Sequence, residues 1–445
     1  MPRFCFALSL TVALSAVPAR AADLLQIYRE ALANDATYAS ARASRDAGLE
    51  SLPQGLAQLL PTVNATAFTQ NNDITLSFRT SGPDPSLRKG NSNGYTVTLT
   101  QPVFNWQGIQ LYKEAGFRAA QAEATFGQAT QDLIVRVAQA YFDVLASQDS
   151  LAFIQGQKVA ISEQLAQAKR NFEVGTATIT DTHEAQARFD LGTSQEIAAQ
   201  SDLEIKKRTL QQIVGKFPER LEPLKSNIEI SPPEPNSMED WATAAANQGY
   251  PVRAQEAALE IAAREIERAR AGHLPTLNIV GTAGQSASSL STTSVNNTPT
   301  DSVSRTIGLQ LAIPLYAGGN VSSLVRQAVA NREKAQQDLE GTRRTAALAA
   351  RQSYVGVTNG MAQVRALEAA LVSSRSALDS NKLGYEVGVR INIDVLNAQQ
   401  QVYSTLRDFS RARYDTILNG LRLKAASGTL GEADVEEVNR LLGTN

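Results

Sequence analysis

The sequence is short of the residues from which most protein chemistry is built. A single cysteine, Cys5, excludes a disulfide framework and any thiolate zinc site. Two histidines, His183 and His273, leave little material for a His-rich metal centre; their spacing suggests no shared ligand, and both read as solvated surface residues. Charged residues make up 19% of the chain, below the quarter typical of soluble proteins. Their near balance, 42 basic against 44 acidic with a formal net charge of −2, excludes the basic footprint of a nucleic-acid binder. There is no Gly-rich phosphate loop and no G-x-S-x-G, and Gly318-Gly319 carries only a fragment of the dinucleotide fingerprint. No catalytic, cofactor-binding or metal-ligating constellation emerges, so the chain does not read as an enzyme.

Long apolar runs are also scarce. The one candidate, Phe4 to Val17, is too short for a comfortable membrane-spanning helix, and no second one follows. It sits between Arg3 and Pro18-Ala19-Arg20-Ala21-Ala22, the layout of a secretory signal peptide with an A-x-A site. Residues 1–21 are therefore assigned to a signal peptide, with cleavage expected within a residue or two of Ala21. Its removal takes Arg3, Arg20 and Cys5, leaving 40 basic against 44 acidic residues and no cysteine.

What fills the chain instead is Ala, Gln, Ser, Thr and Asn, arranged in a repeat. Asn171-Phe172-Glu173-Val174-Gly175 returns as Gly384-Tyr385-Glu386-Val387-Gly388, so that Phe172 and Tyr385 lie about 213 residues apart. Leu60-Pro61-Thr62 returns as Leu274-Pro275-Thr276, and Pro102-Val103-Phe104 as Pro314-Leu315-Tyr316, at nearly the same offset. The reading is a tandem duplication with a first repeat over 22–215 and a second over 251–426. Between them lies a linker, 216–250, extended by composition at Ser231-Pro232-Pro233-Glu234-Pro235. A C-terminal segment, 427–445, closes the chain.

Within each repeat the period switches from helical to two and back. Residues 23–58 read as helix. A strand hairpin is expected at about 61–104, with Tyr95 to Thr100 in strict alternation, and a second at about 275–316, with Ile307, Leu309, Leu311 and Ile313 at spacing two. The stretches 71–94 and 286–304, rich in Asn, Ser and Thr, read as surface loops between the strands. After each hairpin the helical pattern is long, about 105–171 and 318–384. In the first, positions 133, 137, 140, 144, 147, 151, 154, 158, 161, 165, 168 and 172 keep an unbroken 4-3 spacing, a coiled-coil seam. Helical hairpins of this length cannot fold into a compact sphere. The tips fall at about 172–181 and 385–394, and Asp181 and Asp394 read as N-caps of the returning helices.

The strands are long enough to cross a membrane when tilted, yet a half-buried soluble sheet gives the same alternation. Four strands cannot close a barrel, and a membrane sheet tolerates no open edge, so a spanning role requires several chains to pool strands.

Two segments carry a family resemblance. Tyr385-Glu-Val-Gly-Val-Arg390-Ile-Asn-Ile-Asp394-Val-Leu-Asn397-Ala, and Ala425-Ala-Ser-Gly-Thr-Leu-Gly-Glu-Ala-Asp434, resemble the TolC-like outer-membrane factors, and Phe172-Glu-Val-Gly-Thr-Ala-Thr-Ile-Thr180-Asp181 resembles the partner turn. The resemblance implies a mixed α and β membrane protein: a homotrimer whose twelve-stranded β-barrel, four strands per chain, lies in outer-membrane lipid and continues as a long α-helical coiled-coil tunnel into the periplasm. It implies a passive duct for drug efflux or type I protein secretion, recruited by a periplasmic adaptor and an inner-membrane ABC, RND or MFS-type transporter. It also implies tip contacts among Gln164, Thr180, Asp181, Tyr385 and Arg390, with Asp181 linked to Tyr385 and Gln164 to Arg390. Asp394 matches one acidic constriction ring, whereas the second acidic position here is Asn397, which removes a charge. The competing reading is a periplasmic coiled-coil scaffold without a pore.

Overall fold

The computed structural model describes residues 21–77, 86–218, 220–226, 228–290 and 298–443. All of the expected signal peptide except Ala21, with Cys5, lies outside the described residues. In chain order the elements are α1 (Leu24–Asn34), α2 (Ala36–Leu49), α3 (Ser51–Ala57), β1 (Thr62–Leu76), β2 (Ser86–Phe104), α4 (Trp106–Glu173), α5 (Ile179–Val214), α6 (Met238–Gln248) and α7 (Tyr250–Arg270). A short 3-10 turn (Ala271–His273) leads to β3 (Thr276–Ser288) and β4 (Thr300–Ala312), followed by α8 (Asn320–Glu386), α9 (Asn392–Ala426) and α10 (Glu432–Asn439). Among the described residues no helix is both long and apolar enough to cross a membrane. His183 and His273 are both exposed.

The chain divides into two compact units, one containing residues 129–243, 348 onward and those up to 39, the other 40–128 and 244–347. The first unit is helical. Its core gathers Leu24 and Ile27 of α1, Leu133, Val137, Tyr141 and Phe142 of α4, Leu210 and Val214 of α5, Tyr414 and Leu418 of α9, and Val435 of α10. Nine of the twelve predicted seam positions are buried, among them Leu133, Val144, Ile154 and Ala168, while Phe172 is exposed. Between 133 and 145 the buried face widens beyond a coiled-coil stripe to include Ile134, Ala138, Tyr141, Phe142 and Leu145, because α4 is covered there by several elements at once.

Buried polar groups in this core are paired. The Tyr141 hydroxyl donates to the carbonyls of Glu222 and Ala22 at 2.7 and 3.3 Å. The Asp35 carboxylate receives both Nη atoms of Arg136 at 3.0 and 3.1 Å and the backbone N–H of Tyr38 at 2.6 Å. Burial pushes the Asp35 carboxyl up, but Arg136 and the amides of Tyr38 and Thr37 outweigh it and hold it below the usual carboxylate range.

Asp35 also explains a difference from the sequence reading. The stretch 23–58 is three helices; the first break falls where the chain turns extended at Asp35, with ψ of 116°, and the Asp35 side chain then caps the first turn of α2. The linker is likewise only partly extended. Leu221 and Leu224 form isolated bridges to Ala22 and Leu442, but from Met238 the chain is helical, with the Trp241 indole anchored on the carbonyl of Pro235 at 2.8 Å.

In the second unit, β1 to β4 form one antiparallel sheet in sequence order. The predicted loop 71–94 is a correction: pairing continues through Asn71↔Asn91 to Leu76↔Ser86, so most of that stretch is strand. Likewise β3 runs to Ser288 and β4 begins at Thr300. Asn and Ser composition misled because these side chains bond one another across the ladder, as Asn72 Nδ2 does to Ser92 Oγ at 3.1 Å and Asn91 Nδ2 to Asn71 Oδ1 at 3.0 Å. Helix α3 packs closely on α4: a Cβ on Gly55 would meet that of Ala115 at 2.8 Å, and Ser51 Oγ donates to the Ala115 carbonyl. Glu114, 1% exposed, is held there by Arg118 at 2.6 Å.

Candidate functional site

Register sorts the sheet into two chemically distinct faces. Val63 pairs with Leu99, Ala65 with Val97 and Ala67 with Tyr95; Leu99 continues to Gly281 and Ile307, and Ile279 pairs with Leu309. Directly paired residues point to the same side, so these apolar side chains share one face across all four strands. The other face carries hydroxyls and amides, including Thr282 against Thr306 at 2.5 Å and Ser286 against Ser302 at 2.8 Å. The apolar face is uncovered, with Ile307 82% and Leu309 72% exposed. A half-buried soluble sheet would cover that face with its own core. A wide apolar face open on one side and a polar face on the other fit a wall between lipid and water.

The helical tips, in the first unit, are built by one device used twice. At the end of α4 the N–H of Gly175 bonds the carbonyl of Phe172 at 3.0 Å, and that of Thr176 bonds Asn171 at 2.8 Å. At the end of α8 Gly388 bonds Tyr385 at 3.1 Å, and Val389 bonds Gly384 at 2.9 Å. Both glycines are left-handed, with φ of 78° and 81°, which completes a Schellman cap at each tip.

The returning helices begin differently. Asp181 is not the N-cap of α5; Thr178 is, and Asp181 lies three residues on. Asp181 Oδ2 accepts from the Thr178 backbone N–H at 2.9 Å and from its hydroxyl at 2.8 Å, while Thr178 Oγ1 accepts from Asp181 N–H at 3.3 Å. The T-x-x-D spacing of a capping box was readable in the sequence, and it corrects the cap assignment. The N-cap of α9 is Ile391, with no side-chain bond, so Asp394 too is three residues inside its helix. Asn392, 1% exposed, opens that helix, and neither atom of its amide finds a hydrogen-bond partner.

The other residues singled out by sequence lie around these turns. Tyr385 accepts a hydrogen bond from Asn171 Nδ2 at 3.2 Å, and Arg390 Nη1 stands 3.7 Å from Asp394. Gln164, on α4, is partly buried, with its Oε1 unbonded; Thr180 is exposed at the start of α5. Within the chain, therefore, Asp181 bonds Thr178 and Tyr385 bonds Asn171, in place of the Asp181–Tyr385 pair the resemblance implied, and Arg390 faces Asp394 in place of Gln164. A small apolar cluster of Ile161, Leu165, Ala185 and Leu396 joins α4, α5 and α9 beside them.

Sequence reasoning missed Arg188. From α5 its Nη1 donates to Gln400 Oε1 at 2.7 Å and its Nη2 to Asn397 Oδ1 at 3.0 Å, both on α9. Nothing in a linear pattern flags a contact between residues 209 positions apart. Further along these helices Tyr414 Oη donates to Asp149 at 2.8 Å. Burial raises the Asp149 carboxyl above its ordinary value, and the bonds from Tyr414 and Ser410 with the charge of Arg413 offset this only in part.

A four-stranded sheet with one lipid-suited face, in a chain that also holds two long helical hairpins with matched turns, defines a subunit of a membrane-wall protein. Comparison gives the family. A family model described as outer membrane efflux protein matches residues 27–216 and 243–429, and the chain belongs to that family. It is 34% identical over 420 residues to the outer membrane protein TolC of Vibrio cholerae, covering 94% of this chain and 93% of that one. It is 33% identical over 425 residues to the alkaline protease secretion protein AprF of Pseudomonas aeruginosa, covering 94% and 87%. Its fold is similar to the Campylobacter jejuni CmeC outer membrane channel, with a TM-score of 0.79 at 16% identity over 99% of this chain and 97% of that one. The protein is thus an outer-membrane efflux or secretion duct with its helices in the periplasm, not an enzyme. Family membership also displaces the reading as a pore-less periplasmic scaffold.

Proposed function

We propose that three copies of this chain close a twelve-stranded barrel and a common helical tunnel, forming a passive exit duct for proteins and small molecules. The observation that carries it is the open sheet: β1 and β4 are its two edges, and an unpaired strand edge in hydrocarbon leaves backbone groups with no partner. Joining β4 of one copy to β1 of the next removes every edge. A tandem duplication of about 213 residues supports the same architecture, since each half supplies one hairpin and one pair of long helices; the two stretches matched to the family end at 216 and 429, also 213 apart.

In this reading the tips form the periplasmic gate, with Gln164, Thr180, Asp181, Tyr385 and Arg390 making contacts that change on opening and Asp394 and Asn397 lining the constriction. The energy comes from partners, a periplasmic adaptor and an inner-membrane ABC, RND or MFS-type transporter. Protein cargo is favoured because a relative at 33% identity is named for protease secretion. The duplication divides the chain at 22–215, 216–250, 251–426 and 427–445.

Edge closure is directly testable. The only cysteine lies at position 5, so the chain without its signal peptide offers a cysteine-free background. Cysteine pairs scanned along β1 (Val63, Ala65, Ala67) and β4 (Val303, Ile307, Leu309) should, at the matching register, give a ladder ending at a covalent trimer in outer-membrane fractions. A product confined to monomers, or a dimer end point, would overturn the trimeric barrel. Loss of protease from the culture medium on deletion of the gene, with unchanged drug sensitivity, would assign protein cargo; the reverse would assign small molecules.

A further inference from the structure

We infer that Arg188 sets the charge of the constriction, where the two arginines of each chain outnumber its one carboxylate. The inference rests on the proposed placement of Asp394 and Asn397 at the constriction and adds a residue on a different helix. Asp394 and Asn397 are three apart on α9 and so are neighbours on its surface. Each is met by an arginine of the same chain. Arg390 Nη1 lies 3.7 Å from the Asp394 carboxylate, and Arg188 Nη2 donates to Asn397 Oδ1 at 3.0 Å.

The Arg188 contact is a fork. Its second arm holds Gln400 at 2.7 Å, one turn further along α9, which fixes the guanidinium plane against that helix. Arg188 is only partly exposed, and its neighbours on α5 include Ala185, buried in the apolar cluster beside Leu396. The cation is therefore positioned by two amide acceptors and has no carboxylate bound to it. It presents an uncompensated positive charge beside a position that supplies no negative one. With three chains around one axis, three such charges stand near three Asp394 carboxylates, each of which already faces its own Arg390. A constriction so composed does not reject anionic solutes as one lined by bare carboxylates does.

The geometry also changes what restoring the acid at Asn397 would do. Asp and Asn have nearly the same shape, so Asn397→Asp places a carboxylate oxygen about 3 Å from Nη2, at ion-pair distance. The new carboxylate then cancels the Arg188 charge, so N397D removes that positive charge from the lumen as R188Q does and does not create a bare acidic ring.

The test uses the assembled full-length duct in planar bilayers, with the reversal potential read across a KCl gradient; channel insertion itself shows that each variant is folded. R188Q should raise the K⁺ over Cl⁻ permeability ratio, because it removes a cation and keeps an amide. N397D should raise it by about as much as R188Q, since each removes one net positive charge per chain, and R188Q/N397D should exceed either single variant by about twofold or more, since it leaves a carboxylate with no cation beside it. If N397D alone reaches the double variant while R188Q is silent, the constriction reading stands and the role given to Arg188 is overturned. If none of the three moves the reversal potential, position 397 does not face the permeation path, and that reading fails together with this inference.

Discussion

Asp181 is the residue on which the chain's geometry and the family resemblance differ most, and its removal discriminates between them. Within the chain the carboxylate closes a capping box on Thr178, accepting at 2.9 and 2.8 Å. Asp181→Ala removes both bonds and a negative charge from the first turn of α5, a combined loss of about 1 kcal/mol. That loss makes opening of the first turn about fivefold more frequent. Hydrogen–deuterium exchange reads this at the amides of Thr182 to Ala185, which are released when the turn frays. The equivalent amides of α9, Val395 to Ala398, are an internal reference. Ile391 supplies no side-chain cap, so they should exchange faster than those of α5 in the unaltered protein, and Asp181→Ala should bring the two tips together. Thr178→Ala should have the same effect, and the double substitution no more than either alone, since both act on one box. If Asp181→Ala left 182–185 unchanged and accelerated exchange around Tyr385, the capping assignment would be wrong and the carboxylate would belong to Tyr385.

Other consequences are measurable in detergent by loss of helical circular dichroism on heating. Asp149, whose folded pKa is raised, favours the folded state most below about pH 4 and withdraws that support as pH rises through the folded value; Asp149→Asn should flatten this dependence and leave stability at pH 7 equal or higher. Asp35 has the opposite sign: its support is present above about pH 4 and disappears as pH falls through the lowered folded value, and Asp35→Ala should cost about 1–3 kcal/mol at pH 7 by unpairing Arg136. In the sheet, a Cβ at Gly284 would stand 2.6 Å from the Tyr95 carbonyl oxygen, a backbone atom in the adjacent strand, so Gly284→Ala should lower the yield of heat-resistant assembled duct, whereas Gly281→Ala, whose nearest neighbours would lie at 3.9 and 4.0 Å, should not.

The shape of the two polar networks separates their roles. In the helical core of the first unit, Tyr141, Asp35 and Asp149 are each bonded to identified partners and hold backbone or cationic groups in place. At the tips, Asn392 and Gln399 are buried with amide atoms left unbonded, and Gln164 Oε1 is unbonded as well. Unsatisfied buried groups weaken the packing that holds them, so the tips are the part of the helical unit least committed to one arrangement. That is the end at which the proposed gate lies.

Periodicity was enough to read the long helices and the existence of four strands, and the repeated Val-Gly marked the turns at Val174-Gly175 and Val387-Gly388. Each depends on local rules: apolar spacing of 3.5 or 2, and a left-handed position that favours glycine. The same local rules failed where bonding crosses between strands. Asn71 to Ser92 looks like loop in one dimension, and only the register of β1 against β2 shows amide and hydroxyl side chains completing one another. They failed again at Asp35, where a mid-helix acid is a break because Arg136, about a hundred residues away, waits for its carboxylate. Residue types at the proposed constriction, Asp394 and Asn397, were legible from the linear motif. What faces them was not: Arg188 reaches Asn397 only because α5 and α9, from opposite halves of the chain, are packed side by side around Ala185 and Leu396. Local propensity determined the elements, and long-range packing decided the charge.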